Sequence, residues 1–479
     1  MYLVHRLLHQ ATGVSRCCWA RVASGEEELV VVRGRGFEVY GVVASTLQLR
    51  CAFSFEQRIH DLAPCRRPRG PRDALVLSFG VFKVALVDVD GDGELRDLAL
   101  FDLEPGAAGL GAAPLADVET KPFGSAATDR TPPALAVARD GSSAAALVEG
   151  RLVIIPLLCC PDAETGEPPK PWIAERAAKR GELPRFFDYA PGAGPATLIV
   201  VLGDARGDVP KSTRVAALGV DVAGRRVYPL WSVDGLPPVA QCLACTRDGG
   251  SVVVFRNSLA KIARGGAYEA LALNGFADLD FSAESAGRHL LRANDEKLAV
   301  AVGGECAAAE LVDDVVLLSL PGASTCWVLD GRRGRLHLRP LAAAPVASCV
   351  AYDPRRRRVF LGSFDGDGVL GDVGLAAAPN RRLNKKPKLD EGFADASDEL
   401  PEGVTREQAD AEWRALYGAA RGGFGADAAP PPLRLTATDS LLGVGAVVDA
   451  TWSARTTHRW PFQPQRNADV KKTAAEAAA

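Results

Sequence analysis

No apolar run in this 479-residue chain reaches the ~18 residues that a membrane-spanning helix needs. The start of the chain makes a poor secretory leader, because His5, Arg6, His9 and Gln10 interrupt the apolar positions between Met1 and Val14. Without either signal the chain is expected in the cytosol or nucleus, where thiols stay reduced. Net charge is nearly missing too: 56 Lys and Arg against 59 Asp and Glu leave −3. That excludes a whole-molecule electrostatic attraction to nucleic acid, so any RNA contact has to be local or made through a partner.

The usual chemistry-bearing patterns are also scarce. Eleven cysteines show no disulfide-framework spacing; Cys17-Cys18 and Cys159-Cys160 are vicinal pairs, and Cys242 and Cys245 form a lone CxxC. Structural zinc needs four ligands, usually from two such pairs, and here no second CxxC and no nearby histidine completes a set. Cys242 and Cys245 therefore read as buried strand cysteines, packing as small hydrophobes. GxxxxGK[ST], HExxH and GxSxG are absent. One GxGxxG spans Gly366 to Gly371, but nothing after it reads as the helix a nucleotide loop requires.

The richest remaining candidate is Asp88-Val-Asp90-Gly-Asp92-Gly93, which has the first half of a calcium loop. An EF-hand needs glutamate at loop position 12, where this chain has Ala99. The calcium loops of integrin-type propellers want an aspartate at the ninth position, here Arg96. An Asp-Gly hairpin turn between two strands accounts for the segment, and for Asp365-Gly-Asp367-Gly as well. The expectation is a non-enzyme with no catalytic residue, no metal site and no cofactor.

What the sequence does have is a succession of short apolar runs rich in Val and Leu and bounded by Gly, Asp, Pro or Arg. Examples are Glu28 to Val32, Ala74 to Phe79, Lys83 to Val89, Arg151 to Leu157, Thr197 to Leu202, Ser251 to Phe255, Val315 to Leu320 and Arg358 to Leu361. Runs of this length and composition are buried strands, and their spacing predicts an antiparallel sandwich, barrel or propeller. The β-rich stretch ends near Val373, and a seven-bladed ring of ~50-residue blades needs about 350 residues. Periodicity alone leaves both a propeller and several smaller β domains open.

From Gly374 the texture changes. Residues 376–430 are rich in Ala, Pro, Asp and Glu, with a basic cluster (Arg381, Arg382, Lys385, Lys386 and Lys388) followed by acidic Asp390, Glu391, Asp395, Asp398 and Glu399. This composition predicts a disordered charged linker, with one short helix from Thr405 to Tyr417. Leu433 to Val448, within 431–455, reads as a new strand pair, and 456–479 as an unstructured tail. The basic cluster is a candidate nuclear-import signal, though a solvated linker has similar composition.

Particular segments go beyond generic patterning. Arg72 to Phe79 (RDALVLSF), the following KVALVDVD…LRDLALFDLE and the preceding Leu47 to Phe55 (LQLRCAFSF) resemble, in order and spacing, the large propeller subunit family of the cleavage and polyadenylation specificity factor. Arg139 to Leu157, Tyr228 to Leu236 (YPLWSVDGL), Gly249 to Leu259 (GGSVVVFRNSL), Ala272 to Asn274, Phe360 to Ser363 and Thr438 to Val444 continue the likeness collinearly. Asp162 to Phe186 and Cys306 to Arg335 depart from it.

The resemblance implies an all-β fold: residues 1–375 as a seven-bladed β-propeller, the first of the family's three, with Leu433 opening a second, truncated one. It implies a non-catalytic nuclear scaffold in pre-mRNA 3′-end processing. The expected partners are the WD-repeat and zinc-finger subunits that read the AAUAAA signal, with RNA contacted mainly indirectly. The chain then corresponds to the amino-terminal portion of such a subunit. Two relatives share the architecture: the damaged-DNA-binding ubiquitin-ligase adaptor and the propeller subunit of splicing factor 3b. The RDAL, WS…LP and FxxNSL segments resemble the polyadenylation member more than either.

Overall fold

The computed structural model describes residues 13–67, 70–80, 82–103, 133–157, 170–174, 177–179, 181–192, 196–204, 212–277, 291–292, 302, 306–312, 314–331, 336–341, 344–364, 366–375 and 433–441. Their elements are all strands, arranged as seven sheets, antiparallel but for one short added strand, that form the blades of a β-propeller.

Blade 1 holds β1 (Arg16–Ala20), β2 (Glu28–Arg33), β3 (Gly36–Val43) and β4 (Thr46–Ser54). Blade 2 holds β5 (Ile59–Cys65), β6 (Ala74–Phe79), β7 (Lys83–Val89) and β8 (Leu95–Asp102). Blade 3 holds β9 (Ala134–Val137), β10 (Ser143–Val148), β11 (Arg151–Pro156) and β12 (Trp172–Ile173). Blade 4 holds β13 (Glu182–Tyr189), β14 (Thr197–Asp204), β15 (Thr213–Asp221) and β16 (Arg226–Leu236). Blade 5 holds β17 (Ala240–Cys245), β18 (Ser251–Phe255), β19 (Ser258–Ile262), β20 (Tyr268–Ala272) and β21 (Leu291–Arg292), the last added in parallel. Blade 6 holds β22 (Ala307–Val312), β23 (Val315–Ser319), β24 (Trp327–Asp330) and β25 (His337–Pro340). Blade 7 holds β26 (Cys349–Asp353), β27 (Arg358–Gly362), β28 (Gly368–Leu375) and β29 (Leu433–Leu441).

The first strands of successive blades touch in a closed circuit, β1 to β5, β9, β13, β17, β22, β26 and back to β1. They line a central channel. Each blade is flanked by two neighbours, so its second strand is buried on both faces. β6 shows the consequence: Leu75, Leu77 and Phe79 pack toward blade 1, whereas Ala74 and Val76 pack toward blade 3. In β14, Ile199 and Val201 face blade 5, and Leu198, Val200 and Leu202 face blade 3. This two-sided burial explains why such strands read as unbroken apolar runs rather than alternating ones. A fully buried Val or Leu contributes about 1.5–3 kcal/mol relative to exposure, so each of the seven inter-blade cores is a substantial contributor.

The vicinal cysteines obey the same alternation. Cys17 packs toward blade 7 beside Cys349, while Cys18 joins the core shared with blade 2. Phe53 and Phe55, from the LQLRCAFSF segment, place their rings 5.0 Å and 6.0 Å from Phe37, and Phe55 lies 5.5 Å from Phe79.

The structure corrects one expectation. Leu433–Leu441 does not open a second propeller; it is the outer strand of blade 7, paired with β28 from Leu375↔Leu433 to Gly368↔Leu441. Leu435 is buried in the core between blades 6 and 7, and Leu441 packs at the seam between blades 7 and 1. The physical reason is edge satisfaction. Without β29, β28 would present an unpaired backbone edge and blade 7 would lack its fourth strand. The propeller therefore does not end at residue 375. The intervening segment 376–432, with its expected disorder and short helix, and 442–479 lie outside the described residues.

Ring closure is secured by contacts between the first and last blades. Val14 N–H donates to Ser363 O at 2.8 Å, and Leu47 N–H donates to the Asp439 carboxylate at 2.6 Å. Arg358 reaches Ser45 Oγ at 3.1 Å, and Arg356 reaches Glu27 O at 3.2 Å.

If β29 is integral to the ring, Leu435→Ala costs about 2–5 kcal/mol in a denaturant melt, as expected for a large buried side chain. A change within experimental error would show that Leu433–Leu441 is peripheral to the propeller.

Candidate functional site

The sequence-level candidates resolve differently. Asp90 caps its own turn: its Oδ1 accepts N–H groups from Asp92 at 3.0 Å and Glu94 at 2.9 Å, and Arg96 donates to Oδ2 at 2.7 Å. Those bonds, led by the one from Glu94, hold its carboxyl below the ordinary aspartate range. Gly93 occupies the left-handed position of the turn with φ of +81°. Asp88 points elsewhere, 2.9 Å from Arg67. The segment is thus the β7–β8 hairpin turn, with two of its carboxylates engaged by arginines.

Cys242 and Cys245 are buried on β17, and burial pushes the Cys245 thiol well up. The GxGxxG stretch runs into β28, a strand, so it lacks the helix that positions a nucleotide phosphate. The basic cluster Arg381, Arg382, Lys385, Lys386 and Lys388 lies outside the described residues.

The sequence reading missed a cavity of about 320 Å³ at one mouth of the central channel. It is built from the first four blades, where the turns joining first and second strands converge. Trp19, Leu135, Ala136 and Tyr189 give it apolar walls, and Glu27, Arg66, Arg139 and Asp188 line it with charge. Asp73 also lines it but is already engaged, 2.8 Å from the Arg21 guanidinium.

Local structure fixes the basic rim. Arg139-Asp140-Gly141 forms the β9–β10 turn, with Gly141 at φ of +71° and its N–H donating to Ala138 O at 2.8 Å. Gly141 sits against the Arg66 backbone, and a Cβ there would collide with the Arg66 carbonyl. Arg139 Nη1 donates to Pro191 O at 2.6 Å, which ties blade 3 to blade 4. The same tripeptide recurs as Arg247-Asp248-Gly249 in the β17–β18 turn, with Gly249 at φ of +85°. There the main-chain N–H of Arg247 donates to the Glu310 carboxylate, and its guanidinium lies 3.5 Å from it. Arg66 and Arg139 have no carboxylate partner among the described residues. Burial, with Arg66 and Arg247 nearby, lowers the pKa of Arg139.

The acidic groups are held as firmly. Asp61 bridges three blades below the cavity, accepting from Arg16 Nε at 3.0 Å and from Leu135 N–H at 2.8 Å. Asp188 Oδ1 accepts the Tyr189 N–H at 2.8 Å, while its Oδ2 takes no hydrogen bond among the described residues. Burial drives the Asp188 pKa up to about 6, with Asp61 adding a like charge. Burial likewise raises Glu27, which faces Asp353 across the seam with blade 7. Tyr189 is anchored by a 3.0 Å bond between its hydroxyl and Ser143 Oγ.

A carboxyl with a raised folded pKa binds its proton more tightly in the fold than in the unfolded chain. Its ionisation therefore weakens the fold as pH climbs from the unfolded value of 3.8 through about 6. Asp188→Asn is expected to raise the melting temperature more at about pH 8 than at about pH 4. Equal effects at both values in a thermal melt would show that Asp188 carries no such penalty. No protein-family model matches the sequence.

Proposed function

We propose that this chain is a non-catalytic scaffold of the pre-mRNA cleavage and polyadenylation machinery, offering a rigid propeller to the protein subunits that read the polyadenylation signal. The observation that carries the reading is the collinear series of family-like segments. RDALVLSF runs into β6, KVALVDVD covers β7, and YPLWSVDGL falls within β16. GGSVVVFRNSL spans β18 and enters β19, and TDSLLGV begins in β29. A seven-bladed propeller is compatible with this function and with many others, so the weight rests on those segments.

The near-neutral charge supports RNA capture through partners rather than by the propeller as a whole. Nuclear entry is part of the same proposal. Arg381, Arg382, Lys385, Lys386 and Lys388 supply the clustered charge an import receptor reads. Their replacement by alanine is expected to leave a tagged chain in the cytoplasm, and an undiminished nuclear signal would overturn this role.

Capture from nuclear extract tests the main reading. The tagged chain is expected to retain the WD-repeat and zinc-finger polyadenylation subunits. Retention of a cullin instead would assign the chain to the ubiquitin-ligase adaptors. Retention of splicing factor 3b components would assign it to that complex.

A further inference from the structure

The cavity at the channel mouth combines charges of both signs that have no ion-pair partner among the described residues. Arg66 and Arg139 come from adjacent blades and have no carboxylate partner among the described residues, although a guanidinium offers five N–H donors. Glu27 and Asp188 flank them from blades 1 and 4, and neither carboxylate forms an ion pair among the described residues. Round the rim the order is therefore acid, base, base, acid. Trp19 and Leu135 line the same cavity.

We infer that this cavity binds a short acidic peptide segment. Its Asp or Glu side chain is held by the Arg66 and Arg139 guanidiniums, and its main-chain N–H groups donate to Glu27 and Asp188. The chemistry fits a peptide on three counts. Two guanidiniums lining one cavity suit a single carboxylate, which accepts several charge-assisted hydrogen bonds at once. Carboxylates at the flanks accept from peptide amides, whereas a phosphodiester backbone has no donors and would be repelled by them. A volume of about 320 Å³ with an apolar wall accommodates one or two side chains.

The site is also preorganised. The Arg66 main chain is pressed against Gly141, and the Arg139 guanidinium is tethered to Pro191 O, so both residues are positioned before any ligand arrives. The inference deepens the scaffold reading by naming a docking point, and it rests on that reading only for the partner's identity.

Fluorescence anisotropy on the full chain tests it. The probe is a fluorescein-labelled peptide of alternating aspartate and leucine, with a lysine-leucine peptide and a labelled oligouridylate as comparisons. The acidic peptide is expected to bind saturably, and the double variant Arg66→Glu, Arg139→Glu to weaken it by about tenfold or more. Arg58→Glu, an exposed change on the loop between β4 and β5, is expected to leave binding unchanged. A cooperative thermal melt, lowered at most slightly by loss of the Arg139–Pro191 bond, is the check that the double variant is folded.

Three results would overturn the inference: no saturable binding of the acidic peptide to the unaltered chain, equal affinity in the double variant, or preferential oligouridylate binding that the double variant abolishes. Peptide binding without capture of polyadenylation subunits would remove the assignment to that machinery and leave the site standing. Capture without peptide binding would do the reverse.

Discussion

The structure depends on one constraint: every blade must have both faces covered. A four-stranded sheet whose second strand carries Leu, Val and Phe on both sides has no stable state alone. Each strand of that kind serves two cores at once, as β2 does with Leu29 and Val31 toward blade 7 and Val30 and Val32 toward blade 2. Coverage can be complete for all seven blades only when the ring closes. The seam between blades 7 and 1 is the least local of the interfaces, and it joins Val14 to Phe360 across most of the described sequence. Because stability is shared between neighbouring interfaces, damage at the seam exposes apolar surface on both flanking blades.

That constraint also decides what was legible beforehand. Second and third strands were readable because burial on both faces leaves a continuous local apolar signature, as in ALVLSF and SVVVF. Inner and outer strands are partly exposed and carry a weaker pattern; β4 alternates exposed and half-buried positions over much of its length. Whether such strands make one ring or several domains is a question of packing between blades, which no local window contains. The same limit produced the misplacement of Leu433–Leu441. Its strand character was visible, but its partner β28 lies on the far side of residues 376–432. A strand separated from its sheet by so long a stretch reads as the start of something new.

The channel-mouth site was legible only in fragments. The Asp-Gly turn after β7, which lies outside that site, was recognisable because turn chemistry is local, and Arg96 stands where a calcium loop wants an aspartate. Arg139-Asp140-Gly141 and Arg247-Asp248-Gly249 are an internal repeat that signals equivalent turns two blades apart. Nothing in the sequence brings Arg66, Arg139, Glu27 and Asp188 to one cavity, however, because they belong to four blades and converge only through ring closure.

Rigidity and recognition are consequently the same property in this molecule. Arg66 and Arg139 can share one cavity despite their like charges because the Arg66 main chain is fixed against Gly141 and the Arg139 guanidinium is held by Pro191 O. Asp188 can remain close to Asp61 for the same reason, with burial and the neighbouring charge opposing its ionisation. In an isolated blade these groups would swing apart toward water. Closure of the ring holds them in a mixed-charge arrangement that their own electrostatics does not favour, and it does so before any ligand binds. The ordering entropy that a flexible loop would lose on association has already been lost in folding. A chain whose total charge is close to zero can in this way still present a strongly featured electrostatic surface at a single point, the mouth where its inner turns meet.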